Sequence, residues 1–113
     1  MPGPLYPENA AALGKHRRDL TPETTKAFEA FSQAVFANGA LDQKTKQLIA
    51  VAVAHVTQCP YCIKGHTKAA LRHKASEAEI MEAIWVAAEM RAGGAYAHSV
   101  LALDEMQKAS DKG

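Results

Sequence analysis

Cysteine is scarce in this chain, and its scarcity excludes one class of protein. Two cysteines among 113 residues are too few for the disulfide framework of a small secreted domain. A dominant charge sign is also missing, since the formal net charge is +1. The few aromatic residues do not alternate with basic ones, as they would on a base-stacking surface. We therefore expect neither a nucleic-acid partner nor a polyanionic substrate.

The chain also lacks long apolar segments. The longest one, from Leu48 to Val56, is interrupted by His55 and is much shorter than the ~20 residues that cross a bilayer as a helix. The first residues contain no basic segment followed by an apolar one, so no secretory leader is predicted. We expect no membrane partner and predict a cytoplasmic location. In that compartment, two nearby cysteines are more often catalytic or metal-binding than structural.

Strand-type alternation of apolar and polar residues is absent throughout, whereas helix signals recur. Thr21 followed by Pro22 predicts a helix start, with a capping hydroxyl and a proline at the first helical position. Asp42 is a second candidate cap, and the pair Ser76 and Glu79 is typical of a capping box. The sequence therefore predicts an all-α domain with five or six helices.

The length is that of one domain, which we place at residues 21–113 after an N-terminal arm at residues 1–20. The arm begins with prolines and a glycine, and residues 9–13 are expected to form only a short helical turn. The segment from Thr45 to Val56 is apolar on nearly every face in its second half, so we predict a helix buried at the centre of the domain. Gly93 and Gly94 predict either a kink within a helix or a break between two helices, or else a close helix–helix contact that could lie between subunits.

Both cysteines lie in the segment Cys59-Pro60-Tyr61-Cys62, and His66 follows one helical turn later. If a helix begins at Pro60, then Cys59, Cys62 and His66 lie along one face of it. Unpaired N–H groups in the first turn of a helix stabilise a thiolate, which is the reactive form of cysteine. His66 can take the proton of Cys62 or return it to a leaving group. This pattern favours a redox-active dithiol.

Two other interpretations of the cysteine pair remain open. A CxxC motif with one histidine can be part of a zinc site, but a tetrahedral site needs four ligands, or three and a water. No second CxxC exists, and His55, His73 and His98 do not have finger-like spacing. The cysteines could also be inert core residues, since free cysteine is often buried. We expect no metal and no cofactor.

The succession of motifs resembles the AhpD-like branch of the carboxymuconolactone decarboxylase superfamily. The resemblance covers residues 20–108: the segment from Leu41 to Ala52, then the CxxC with its histidine, then the Glu82-Ala83-Ile84 and Gly93-Gly94 segments. It implies an all-helical subunit that forms homo-oligomers, commonly trimers or hexamers. It also implies peroxidase activity, with Cys62 attacking the peroxide, Cys59 resolving the product and His66 in a proton relay. Decarboxylase members of the superfamily lack the CxxC, so lactone decarboxylation is not expected.

The sequence departs from the family pattern at one position. A glutamate is expected twelve residues before the first cysteine, and Gln47 stands there. Glutamine can form hydrogen bonds but cannot accept a proton as a carboxylate does. Either His66 acts alone, or His55 or Glu82 replaces the missing carboxylate, or peroxidase activity is weak.

The resulting functional hypothesis is a thiol-dependent alkylhydroperoxidase, with a hydroperoxide as substrate and an external dithiol as reductant. In the resembling family this reductant is a lipoyl-bearing protein. A thiol redox sensor or a disulfide oxidoreductase with weak peroxidase turnover is the alternative, and Gln47 favours it. A third possibility is a helical oligomer that binds a metal or a small molecule in the same pocket.

Overall fold

The computed structural model describes residues 5–112. Five helices follow one another along the chain: α1 (Ala10–Leu20), α2 (Pro22–Phe36), α3 (Gln43–Thr57), α4 (Pro60–Arg72) and α5 (Glu77–Lys112). No strand occurs within this described range, and the all-α prediction is confirmed. The chain divides into two compact units, one holding α1 and α2 up to Ala37 and the other beginning at Asn38.

The first unit differs from its predictions at two places. Only a short helical turn was expected, but residues 10–20 form a helix of 11 residues. The alanines at its start are strong helix formers. Thr21 precedes α2 as predicted, but its hydroxyl makes no capping hydrogen bond. An exposed ion pair between Arg18 and Glu29, at 3.1 Å, joins the two helices of this unit. Residues 1–4 of the predicted arm lie outside the described range.

In the second unit, α3 packs against both α4 and α5. The core cluster consists of Val51 from α3, Ala70 from α4, Ala75 from the loop after it and Ile80 from α5. The sequence predicted a helix buried at the centre of the domain, and α3 does pack against both neighbouring helices, but it is not buried on every side. Val51 is fully buried, but Ile49, Val53 and Val56 are each about half exposed. The helices of this unit cover only one side of α3, which leaves its other apolar side uncovered.

Polar contacts at the helix starts hold α3 and α5 in place. Asp42 caps α3 as predicted, with Oδ1 accepting a hydrogen bond from the Thr45 amide at 2.8 Å. The predicted capping box is also confirmed, since Ser76 and Glu79 exchange hydrogen bonds at 2.8 and 3.0 Å. Lys44 on α3 forms an ion pair with Glu79 at 2.7 Å.

These contacts also affect two carboxyl groups. Hydrogen bonding from Thr45 lowers the pKa of Asp42, and the bond from Lys44, aided by the Ser76 amide, lowers the pKa of Glu79. A carboxyl pKa that is lower in the folded state stabilises the fold above the unfolded-state value. That contribution is lost as the pH falls through the folded-state value.

The Gly93-Gly94 pair does not separate two helices, because both glycines lie inside α5, a continuous helix of 36 residues. Neither glycine adopts a positive φ, so both have ordinary helical geometry. A Cβ on Gly94 would meet nothing within 4 Å, and one on Gly93 would meet only the Glu89 side chain. Within one chain, no neighbouring helix therefore requires a glycine at position 94. None of the helices in the described residues is both long and apolar enough to cross a membrane.

Lys74, just after α4, has a backbone conformation whose energetic cost can be measured. Its φ is 70°, a left-handed conformation that costs an L-residue about 1–2 kcal/mol and costs glycine little. We expect Lys74→Gly to raise the free energy of unfolding by about 1 kcal/mol, measured by urea denaturation. The matched control is Lys68→Gly in the interior of α4, which should lower it by about 1 kcal/mol. Equal destabilisation by both changes would contradict this account.

Candidate functional site

The end of α3 places the first cysteine. Gln58 ends the helix in the left-handed conformation, with φ 58° and ψ 49°, and the Cys59 amide donates back to the Ala54 carbonyl at 3.1 Å. This pattern of an αL residue with a backward bond ends many helices. The chain then turns directly into α4, so that Cys59 is the N-cap and Pro60 the first helical residue. Both positions agree with the sequence prediction.

The two cysteines form a disulfide, with their Cα atoms 5.2 Å apart. This Cα separation is typical of protein disulfides. The Cys62 amide also donates to the Sγ of Cys59 at 3.3 Å. One N–H group in the first turn of α4 thus points toward the Cys59 sulfur, which is an arrangement that stabilises negative charge on a reduced Cys59. Both cysteines are partly buried, so the pair is shielded but accessible.

The structure brings Gln47 and His66 together across two helices. The Oε1 of Gln47 on α3 and the Nδ1 of His66 on α4 lie 2.7 Å apart. Gln47 is 7% exposed and is the buried polar residue of the described core, whereas His66 is half-buried. A buried polar group needs a hydrogen-bonding partner, and the imidazole provides it. The residue at the sequence position where the resemblance places a glutamate is therefore in direct contact with His66.

His66 lies one turn after Cys62 on α4, on the same face as the disulfide. Side chains four residues apart on a helix are neighbours. The site thus combines a disulfide at a helix start, an imidazole one turn further along, and a buried amide behind that imidazole. Chemically, this arrangement can exchange electrons through the sulfur pair and move a proton through His66.

The two groups considered as substitutes for a glutamate are on α3 and α5. The Nδ1 of His55 is 2.7 Å from the Val51 carbonyl of its own helix, and Glu82 is exposed on α5. His98 similarly bonds the Gly94 carbonyl at 2.8 Å. Within residues 5–112, no group of three or more His, Cys, Asp or Glu side chains is arranged to hold a metal ion.

One contact near the site was not foreseen from the sequence. With the Gln58 amide oriented so that its oxygen faces α5, that oxygen accepts hydrogen bonds from the Arg91 guanidinium at 2.7 and 3.3 Å. Arg91 thereby ties α5 to the residue that precedes Cys59. No local signal could have revealed this pair, because the two residues are far apart in sequence and only the packing of α5 beside the end of α3 brings them together.

The fold and the site define an all-α protein with a CxxC disulfide at a helix N-terminus. The chain belongs to the carboxymuconolactone decarboxylase family, whose model matches residues 22–105. Among related sequences, it is 63% identical over 97 residues to the uncharacterized protein 4 in the cox locus of Paracoccus denitrificans, a match that covers 86% of each chain.

Solved structures support the same assignment. A carboxymuconolactone decarboxylase family protein from Legionella pneumophila, solved in its apo form, matches with a TM-score of 0.71 and 32% identity, over 89% of this chain and 90% of its own. A family protein from Thermotoga maritima, described as having a possible role in the antioxidative response, matches with a TM-score of 0.57 and 30% identity, over 80% of this chain and 96% of its own.

Proposed function

We propose that this protein is a thiol-dependent alkylhydroperoxidase of the AhpD-like branch of its family. The observation that carries the proposal is the combination of the Cys59–Cys62 disulfide at the start of α4 with His66 on the same helix face. The description of the Thermotoga maritima relative, which mentions an antioxidative response, agrees with this proposal.

In the proposed reaction, the reduced Cys62 transfers its proton to His66, and its thiolate attacks the terminal oxygen of a hydroperoxide. The O–O bond breaks, Cys62 becomes a sulfenic acid, and the leaving alkoxide takes the proton back from His66 to give an alcohol. The Cys59 thiol then attacks the Cys62 sulfenic acid, which releases water and forms the disulfide. An external dithiol, such as a lipoyl-bearing protein, reduces that disulfide by exchange and becomes oxidised in turn.

The direct test is the consumption of an organic hydroperoxide by the wild-type protein, with dithiothreitol or dihydrolipoamide supplied in excess. Many turnovers per protein would support the peroxidase. Oxidation of one thiol pair per chain, followed by no further consumption, would contradict it. Catalysis of thiol–disulfide exchange without peroxide consumption would instead support a disulfide oxidoreductase.

A thiol redox sensor is the second candidate, and the observation in its favour is Gln47. The residue beside His66 is an amide that cannot accept a proton, so proton transfer from Cys62 has one acceptor fewer than in the family pattern. A sensor would form the same disulfide slowly and would respond through a change in assembly or in partner rather than through turnover.

The substitution Gln47→Glu tests whether the missing carboxylate limits proton transfer from Cys62. A carboxylate beside His66 would favour the imidazolium that forms when Cys62 loses its proton, and we expect peroxide turnover to rise about tenfold. Steady-state peroxide consumption measures this, with Gln43→Glu, at the first residue of α3, as a control for the added charge. Unchanged turnover in Gln47→Glu would mean that proton transfer is not limited by the missing carboxylate.

We also propose that the protein is a homo-oligomer, for which a trimer or a hexamer is the expectation. Only Ile80 and Ala87 are buried in α5, so no residue of its C-terminal half is buried within one chain. Tyr96, Val100 and Leu103 lie along one side of that half and are 82%, 61% and 53% exposed. An apolar surface of this kind is typical of a protein interface, and we propose that contacts between copies also cover the exposed apolar residues of α3.

A charge on this side of α5 should disrupt the assembly. We expect Val100→Asp to shift the protein to a smaller species, because an unpaired carboxylate would be buried at the contact. The control, Ala109→Asp, places the same charge about half a turn around the helix from Val100 and should leave the mass unchanged. Size-exclusion chromatography with light scattering measures both variants. A wild-type protein that is monomeric at micromolar concentration would overturn the proposal.

A further inference from the structure

The hydrogen bond between Gln47 and His66 determines where the imidazole carries its proton. The Oε1 of Gln47 is a carbonyl oxygen, which accepts hydrogen bonds and cannot donate them. It lies 2.7 Å from the Nδ1 of His66, so the proton of this bond belongs to Nδ1. A neutral imidazole protonated on Nδ1 has its lone pair on Nε2.

We propose that Gln47 is a positioning residue that holds His66 in the Nδ1-protonated tautomer and leaves Nε2 as its one proton-accepting atom. Three features support this role. Gln47 is only 7% exposed, so water does not compete freely for the hydrogen bond to Nδ1. The amide and the imidazole belong to different helices, whose packing fixes their separation. The bond is also short for an N–H···O contact, for which about 2.9–3.0 Å is usual.

The consequence for the proposed peroxidase follows from the chemistry of an amide. When Cys62 loses its proton, the S–H bond breaks and an N–H bond forms at Nε2, which makes His66 an imidazolium. The Gln47 oxygen cannot take the Nδ1 proton away, so the positive charge stays on the ring until Nε2 returns its proton to the alkoxide. Gln47 thus directs both transfers through the same nitrogen. This step rests on the proposed function, whereas the tautomer itself does not.

The tautomer can be measured directly in the full-length, reduced protein. Long-range ¹H–¹⁵N correlation spectra of uniformly ¹⁵N-labelled protein distinguish Nδ1–H from Nε2–H imidazoles at a pH where the ring is neutral. His55 and His98 serve for comparison, because their Nδ1 atoms lie 2.7 and 2.8 Å from backbone carbonyls and are expected to carry the proton as well. We expect His66 to show the same pattern as these two residues.

Two variants of nearly equal side-chain size complete the test. Gln47→Met fills the same space without a comparable acceptor and should convert a large fraction of His66 to the Nε2-protonated form. Gln47→Glu keeps an oxygen acceptor and should keep the proton on Nδ1. An Nε2–H pattern in the wild-type protein, or an unchanged pattern in Gln47→Met, would overturn the proposal.

The same experiment separates this inference from the proposed function, because it requires no peroxide and no turnover. An Nδ1–H pattern that is lost in Gln47→Met supports the positioning role even if the protein consumes no hydroperoxide, in which case only the peroxidase fails. If peroxide is consumed but His66 is protonated on Nε2, the positioning role fails and the peroxidase stands.

Discussion

Replacing Cys62 by serine is expected to abolish peroxide turnover. A serine hydroxyl is not ionised near neutral pH and cannot form a sulfenic acid, so neither the attack nor the following disulfide can occur. Hydroperoxide consumption with dithiothreitol in excess should fall to the uncatalysed rate. The side chain is partly buried at the first turn of α4 and differs by one atom, so the fold should survive, which far-ultraviolet circular dichroism can check.

The matched variant Cys59→Ser distinguishes attack by Cys62 from attack by Cys59. In this variant, with dimedone and no dithiol added, the sulfenic acid on Cys62 has no thiol to resolve it, so one equivalent of peroxide is consumed and a dimedone adduct accumulates on Cys62. The opposite result, an adduct on Cys59 in Cys62→Ser, would reassign the attacking residue. This outcome is a real alternative on physical grounds, because the Cys59 sulfur accepts the N–H of Cys62 at 3.3 Å and its thiolate is stabilised there.

Replacing His66 by alanine should lower kcat/KM for the hydroperoxide by about 10²-fold or more, the usual contribution of one general acid–base group. Such a loss corresponds to about 2.7 kcal/mol of transition-state stabilisation. The expected effect has two sources, since in the proposed mechanism His66 both takes the proton of Cys62 and returns it to the alkoxide. Stopped-flow measurement of the peroxide-dependent oxidation step isolates this effect from the rate of disulfide reduction.

His55→Ala is the control for this prediction, and it also tests an alternative relay. The Nδ1 of His55 bonds the Val51 carbonyl of its own helix, so we expect its loss to change kcat/KM by less than about twofold. A loss comparable to that of His66→Ala would mean that His55 takes part in the proton relay. Equal, small effects of both changes would remove the imidazole from the mechanism.

Much of the fold was predictable because its signals are local. The caps at Asp42 and at the Ser76–Glu79 pair were confirmed, as was the start of α4 at Pro60. Such signals depend on residues within one turn of each other. Of the alternatives predicted for Gly93-Gly94, a break between two helices is wrong, because two glycines weaken a helix without ending it when flanking residues on both sides favour helix.

Burial was harder to predict than secondary structure. The apolar residues of α3 predicted a helix buried at the centre of the domain, yet Ile49 and Val53 are 47% and 52% exposed. An apolar pattern along a helix predicts that its surface will be buried. It does not indicate which other surface covers it. When the covering surface belongs to another copy, as we propose here, the partner has no position in the sequence of one chain.

The candidate site also combines features that follow from local sequence with features that depend on the packing of the helices. The sequence by itself determined the CxxC at a helix start and the histidine one turn later, because residues three and four apart on a helix always share a face. Tertiary structure alone decided that Gln47 bonds the Nδ1 of His66 at 2.7 Å and that Arg91 contacts Gln58. These contacts join residues on different helices, and only the packing of α4 and α5 against α3 sets the distances between them.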